Sequence, residues 1–167
     1  LRPRRQRQMC IRDRHYFLAY YEMFKRDTVR FCEALKRIDE NPLGSCALAG
    51  TQYKINRFQT SKKLGFKKTS KNSIDSVADR DFVIDFLSNA SVLSVHLSRI
   101  SEEIVLFSSD LINIFRLSDE VVSSSSILPQ KRNPDGAELI RAKAAITFGN
   151  LNSCLLYTSP SPRDSDQ

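Results

Sequence analysis

The 167 residues contain no apolar run of the roughly 18 to 20 residues that a bilayer-spanning helix needs. No apolar run follows the basic N-terminus either, as a secretory signal would require. No membrane partner is expected, and a cytoplasmic setting is. Cysteine and histidine are scarce, with four and two copies. Cys10, Cys32, Cys46 and Cys154 show no metal-ligand spacing, and His15 and His96 stand far apart, so neither a disulfide framework nor a zinc site is expected. No metal and no cofactor is anticipated. Strand-like alternation of useful length is also missing, which leaves an all-α interior.

What is abundant is positive charge, a formal +7. Most of it sits in the first fourteen residues, where Arg2, Arg4, Arg5, Arg7, Arg12 and Arg14 face only Asp13. The excess is terminal and forms no patch of the interior, so nucleic acid is not an expected partner. The opposite end, from Cys154 onward, is CLLYTSPSPRDSDQ, Ser- and Pro-rich and without periodicity. Codons link the two ends. Met9 to Asp13 can be encoded by ATGTGTATAAGAGAC, and Cys154 to Ser159 by TGTCTCTTATACACATCT, which contains the reverse complement of the first string. Unrelated protein termini have little reason to share one DNA string on opposite strands. The flanking RRQRQ and PSPRD fit the outer arms of adapters used in transposon-based sequencing libraries. Residues 1–14 and 153–167 are therefore read as translated adapter, and fold and function are sought in residues 15–152.

Within that interior, Phe17, Tyr21, Phe24, Thr28, Phe31, Leu35 and Ile38 step by four and three, which predicts a helix over 15–39 with one packed seam. Asn41-Pro42 ends it, because Pro disfavours helical geometry in the residue before it. A small, apolar PLGSCALAGT follows, then a Lys-rich connection with a short helix. A second long helix is predicted over 82–107 through Phe86, Ala90, Leu93, Leu97, Ile100, Ile104 and Phe107, widened by Val83, Leu87, Val92 and Val105. So broad a stripe suits a helix touching several others in a bundle. Asp79 and Asp81 at its start suit capping. A third helix begins after Pro134, with Ala137, Ile140, Ala144 and Phe148 on one face. Helices of about 25 residues span nearly 40 Å, long for a stand-alone domain of this size, so they read as part of a larger bundle.

Between the second and third helices lies VVSSSSILPQKRNPDGAELIR. Composition alone makes it a flexible Ser-rich linker. A second reading is an anion site, in which Lys131, Arg132 and Asn133 deliver cationic and amide donors just ahead of a helix N-terminus, where the dipole also favours negative charge. A nearby hydroxyl would be activated by the same field.

The segment SSILPQKRNPD resembles the signature loop of the fumarase/aspartase lyase superfamily, GSSxMPxKxNP. Gln130 and Pro134-Asp135 look like its argininosuccinate lyase branch. HYFLAYYEMFKRD, NPLGSCALAGT, NSIDSVADRDF and HLSRISEE follow in family order, so the resemblance covers essentially all of 15–152. It implies a long-helix bundle belonging to the central domain of that superfamily, homotetrameric with composite active sites. The implied reaction is elimination of fumarate from argininosuccinate. By resemblance Ser125 is the catalytic base, Lys131 and Asn133 stabilise the dianionic intermediate, Glu138 supports the acid partner, and Arg80 and Ser126 contact substrate. The family's general-acid His, in a Thr-His motif, falls just upstream of the helix at His15, and His15 is not that acid. The segment alone is expected to be inactive. Two residues depart from the pattern, Ser124 for Gly and Leu128 for Met. The alternatives are another lyase of the superfamily (adenylosuccinate lyase, fumarase or aspartase) and a non-catalytic, crystallin-like helical scaffold.

Other residues carry simpler readings. Arg80 is as well suited to pairing with Asp79 or Asp81 as to holding a carboxylate. Asn72 and Ser73 suit a helix cap, His96 a structural role, and Lys62-Lys63 and Lys67-Lys68 a solvated loop.

Overall fold

The computed structural model describes the backbone of residues 4–156 except 125 and 129, and side chains from residue 14. The chain is predominantly helical: α1 (Arg4–Arg37), β1 (Glu40–Asn41), α2 (Arg57–Leu64), β2 (Lys68–Thr69), α3 (Ser73–Ala78), α4 (Asp81–Ser108), a 3-10 turn (Asp119–Val121) and α5 (Asp135–Leu156). The long helices α4 and α5 lie within a residue or so of where periodicity puts them. Helix α1 differs, because it opens at Arg4 and not at His15. Helical backbone thus crosses both junctions of the interior, and the boundaries at 14 and 153 rest on the codon argument alone. No described helix is long and apolar enough to cross a membrane.

The chain divides into two units, Val29–Phe86 and Leu1–Thr28 with Leu87–Gln167. In the second of these, α1 and α4 run antiparallel. The Tyr16 hydroxyl donates to Glu103, the Tyr16 ring lies 6.2 Å from that of Phe107, and further along His96 Nδ1 donates to Asp27 Oδ2 at 2.6 Å. Asp27 is buried and His96 nearly so. A carboxylate out of water is tolerated only with such a partner. On α4, Ser91 and Ser101 are buried, and Ser91 Oγ donates to the Leu87 carbonyl at 2.7 Å, so its burial leaves no orphan donor. Helix α5 joins α4 through Arg141 and Glu102 and buries Ala144.

The seam expected on α1 is displaced. Tyr20, Asp27 and Ala34 are buried, whereas Phe17, Tyr21 and Leu35 are exposed and only Phe24 and Phe31 are shared between the two faces. The periodicity was right, but the apolar surface is broader than one partner covers. A buried Asp is also invisible to a hydrophobic pattern.

In the unit Val29–Phe86, the stretch read as connection contains a parallel pair, Glu40 beside Lys68 and Asn41 beside Thr69. Its fulcrum is Arg57. Nε donates to the Leu43 carbonyl (2.9 Å), Nη1 to the Ser70 carbonyl (3.0 Å), and Nη2 to Ser70 Oγ (2.7 Å) and Ser45 Oγ (3.4 Å). One planar fork thereby ties the start of α2 to two segments, at 43–45 and at 70, that have no regular structure to hold them. Asn41 is fully buried; its carbonyl accepts from Ser70 N–H (3.1 Å) and its Oδ1 from Leu43 N–H (3.1 Å). Arg37 pairs with Asp85 through two hydrogen bonds, and the Phe31 and Phe86 rings meet at 5.9 Å. Asn72 caps α3 by accepting from Ile74 and Asp75 N–H.

Gly44 makes the Arg57 fork possible. Its φ is +90° and a Cβ there would lie 2.8 Å from Arg57 Cγ, whereas Gly50 at φ +80° faces open space. Left-handed backbone costs a residue with a Cβ about 1 kcal/mol. Gly50→Ala should lose that alone. Gly44→Ala should also dislodge the guanidinium, raising the loss to about 3 kcal/mol. Amide exchange at Ser70 reads the difference, with acceleration of about fivefold for Gly50→Ala and about 100-fold for Gly44→Ala. Equal acceleration would show that the fork does not hold the unit.

Candidate functional site

The segment linking α4 to α5 has almost no regular structure, so its own polar groups must fix it. Two backbone hydrogen bonds do most of this. Ser123 N–H donates to the Asn133 carbonyl and Asn133 N–H to the Ser123 carbonyl, both at 2.9 Å, forming an isolated antiparallel bridge. The residues between are thereby closed into a loop. Lys131 N–H turns back to the Leu128 carbonyl at 2.9 Å. Helix α5 then starts directly from the bridge, with the Ala137 and Glu138 N–H groups donating to the Pro134 carbonyl (2.9 and 3.0 Å). Asp135 and Glu138 occupy its first turn, where the dipole favours acidic side chains.

Beneath this loop is a hollow of about 250 Å³, lined by Leu97, Ile100, Ser101 and Ile104 of α4, Leu117 and Val121 of the connection, and Pro134, Gly136, Ala137 and Ile140 at the head of α5. Its walls are nearly all apolar. Such a hollow suits packing of the loop's base and offers no counter-charge for an anionic substrate.

Of the residues expected at the site, Ser126, Lys131 and Asn133 share this loop and Glu138 sits at the head of α5. Ser126, Lys131 and Glu138 are exposed and Asn133 is half-buried. Ser125 lies outside the described residues. Arg80 belongs to the other unit. There its Nη1 donates to the carbonyls of Val77 (3.0 Å) and Asp79 (2.6 Å), not to the carboxylates of Asp79 or Asp81, and so covers the C-terminal end of α3. Asp79 Oδ1 accepts from Asp81 N–H at 2.7 Å, opening α4.

Arg132 departs from the expectation that it joins Lys131 and Asn133 as a donor to an anion. It turns back along the chain, where Nη1 meets the Asp119 carboxylate and Nη2 donates to the Leu117 carbonyl at 2.6 Å. Sequence reading missed this clasp, because the partner is thirteen positions upstream in a segment without periodicity. The signal available was the lone Asp119-Glu120 pair facing a Lys-Arg pair across the Ser run.

Two ionisations respond to these contacts. The hydrogen bond from Arg132, then its charge and that of Arg116, hold the Asp119 carboxyl below the usual carboxylate range. The hydrogen bond and charge of Glu102, with the charge of Glu138, push Arg141 further up. Because the folded value for Asp119 is depressed, its contribution is present above the ordinary carboxylate value, about 3.9, and fades as pH falls through the lowered folded value. Titration of the Asp119 carboxyl by NMR should give a midpoint below that ordinary value, and Arg132→Gln should return it upward. A midpoint unmoved by the substitution would remove Arg132 as the cause.

Comparison with known proteins bears on the same residues. The argininosuccinate lyase of Pelagibacter ubique (strain HTCC1062) is 56% identical over 141 residues, covering 84% of this chain and 30% of that protein. The argininosuccinate lyase of Clostridium tetani (strain Massachusetts / E88) is 49% identical over 150 residues, covering 90% of this chain and 34% of its own length. The chain thus spans about a third of the length of these relatives. Among solved structures, EDDS lyase in complex with formate superimposes with a TM-score of 0.83 at 38% identity, over 86% of this chain and 29% of that one. The family described as Lyase matches residues 5–149, helices and loop together, and the chain belongs to that lyase family.

Proposed function

We propose that the complete protein carrying this segment is an argininosuccinate lyase, a carbon–nitrogen lyase that eliminates fumarate from argininosuccinate and releases arginine. The observation that carries the reading is the closed loop holding SSILPQKRNPD at the head of α5, in a chain about half identical to proteins of that name.

The chemistry follows from residue types. Ser125 takes the proton from the carbon next to the succinyl carboxylate, and the electron pair left behind spreads onto that carboxylate as a dianion. Such an intermediate forms at a useful rate only where positive charge and hydrogen-bond donors are already in place. The Lys131 ammonium and the Asn133 amide supply them. The same ammonium lowers the cost of ionising Ser125, which is otherwise a poor base at neutral pH. Collapse of the dianion breaks the C–N bond, the electron pair leaves with the guanidinium nitrogen, and an acid returns a proton to it. Glu138 supports that acid, which the superfamily resemblance assigns to a His outside residues 15–152. By the same resemblance Ser126 hydrogen-bonds the substrate, and Arg80, an exposed residue whose Nη1 is held by the Val77 and Asp79 carbonyls, holds a carboxylate.

Phe17, Tyr21 and Leu35 on α1, Phe86 and Leu106 on α4, and Leu139, Ile146 and Phe148 on α5 are exposed. Apolar surface of that extent supports helices that continue packing in the rest of the protein and in neighbouring subunits. The proposed assembly is a cytoplasmic homotetramer with composite sites, and the isolated segment is inactive. Residues 1–14 and 153–167 are proposed to be translated adapter, an idea that an independent read of the source DNA with other codons would end.

In the complete enzyme, Ser125→Ala should lower kcat on argininosuccinate by about 1,000-fold or more with KM nearly unchanged, because it removes a group acting in the transition state. Lys131→Met should lower kcat by about 100-fold. Fumarate release at near wild-type rates from Ser125→Ala would contradict the assignment of the base.

A further inference from the structure

Lys131 and Asn133 are separated by Arg132, which is fixed. Its guanidinium reaches the Leu117 carbonyl at 2.6 Å and the Asp119 carboxylate, while the next residue, Asn133, is pinned by the bridge to Ser123. Lys131 itself closes a turn, its N–H donating to the Leu128 carbonyl at 2.9 Å. Residue 131 is thus held by a turn, 132 by its side chain and 133 by the bridge, which limits how far the exposed Lys131 and the half-buried Asn133 can move.

We infer that Arg132 is a positioning residue: by clasping the segment at Leu117 and Asp119 to the end of the loop, it fixes the backbone between Lys131 and Asn133 and so holds the Lys131 ammonium and the Asn133 amide in place. The inference rests on the lyase reading above and deepens it. The weight falls on the carbonyl contact. The Arg132 side chain is 29% exposed and that of Asp119 84%, and an ion pair so open to water contributes little. A guanidinium spans both acceptors because its donors lie in one rigid fork. A Lys ammonium at this position reaches one acceptor at a time. The loop's alternative, without the clasp, keeps the same residues but leaves Lys131 free to drift by an ångström or more, a displacement that costs an enzyme about 100-fold.

The test uses the complete enzyme with Arg132→Gln, Arg132→Lys and Asp119→Asn, reading kcat and KM on argininosuccinate and backbone amide exchange at Ser123 and Asn133. Arg132→Gln should lower kcat about 10- to 100-fold with little change in KM, and should speed exchange at those two amides while leaving the middle of α4 untouched. Arg132→Lys, which keeps charge and length, should recover only a small part of kcat. Asp119→Asn should stay within about threefold of wild type. Wild-type kcat in Arg132→Gln overturns the inference. So does full recovery by Lys, or a lost kcat with unchanged exchange at the bridge, since either would mean that Arg132 acts on the substrate by charge. An inactive wild-type enzyme would refute the lyase reading instead, and exchange at Ser123 and Asn133 would still decide whether Arg132 holds the loop.

Discussion

The two hydrogen bonds exchanged by Ser123 and Asn133 hold the chemistry of this chain to its scaffold. Among the described residues between α4 and α5 there is neither helix nor ladder long enough to fix backbone direction, and a run of four Ser brings no apolar side chain to pack. A loop of that composition left open would sample many conformations at a cost in catalytic precision. The bridge closes it, Pro134 starts α5 at once, and the positive end of the helix dipole then lies beside Lys131 and Asn133. Lys131 and Asn133, the residues proposed to stabilise charge, thus sit on a loop but within the four residues that precede a rigid helix.

The scaffold beneath is organised by a helix that is apolar or small on most sides. Helix α4 buries Ser91 and Ser101 and leaves most of its other positions half-buried. Next to it, the pairing of Asp27 with His96 spends desolvation energy that an apolar pair would save, and in return admits one register. Slipping α1 along α4 by a turn would carry the buried Asp27 carboxylate away from His96. Exposed aromatic and aliphatic side chains on all three long helices are consistent with the chain spanning about a third of its relatives' length.

Much of this was legible in the sequence, and the boundary has a physical explanation. Periods of 3.6 report burial wherever a helix is long, so α4 and α5 were readable from Phe86 to Phe107 and from Ala137 onward. Capping is local, and Asn72 could be read as a cap from its neighbours alone. Contacts decided by distant partners were not readable. The fork of Arg57, the burial of Asn41 and the parallel pairing of Glu40 with Lys68 depend on where the start of α2 meets the segments at 40–45 and 68–70. Nothing in the local pattern separates Arg57 from a solvated Arg. The choice between Phe17-Tyr21 and Tyr20-Asp27 as the packed face of α1 failed for a related reason: hydrophobicity ranks a Phe above an Asp, but a paired Asp can be the buried one. At the site, the motif named Lys131 and Asn133, while the turning back of Arg132 depended on Leu117 and Asp119.

Fumarate release by the complete gene product, offered argininosuccinate, adenylosuccinate, aspartate and malate separately, decides the substrate. Fumarate is expected from argininosuccinate, with arginine formed in equal amount, and none at a comparable rate from the other three. Fumarate from one of those instead, or from none of the four, would contradict the argininosuccinate reading.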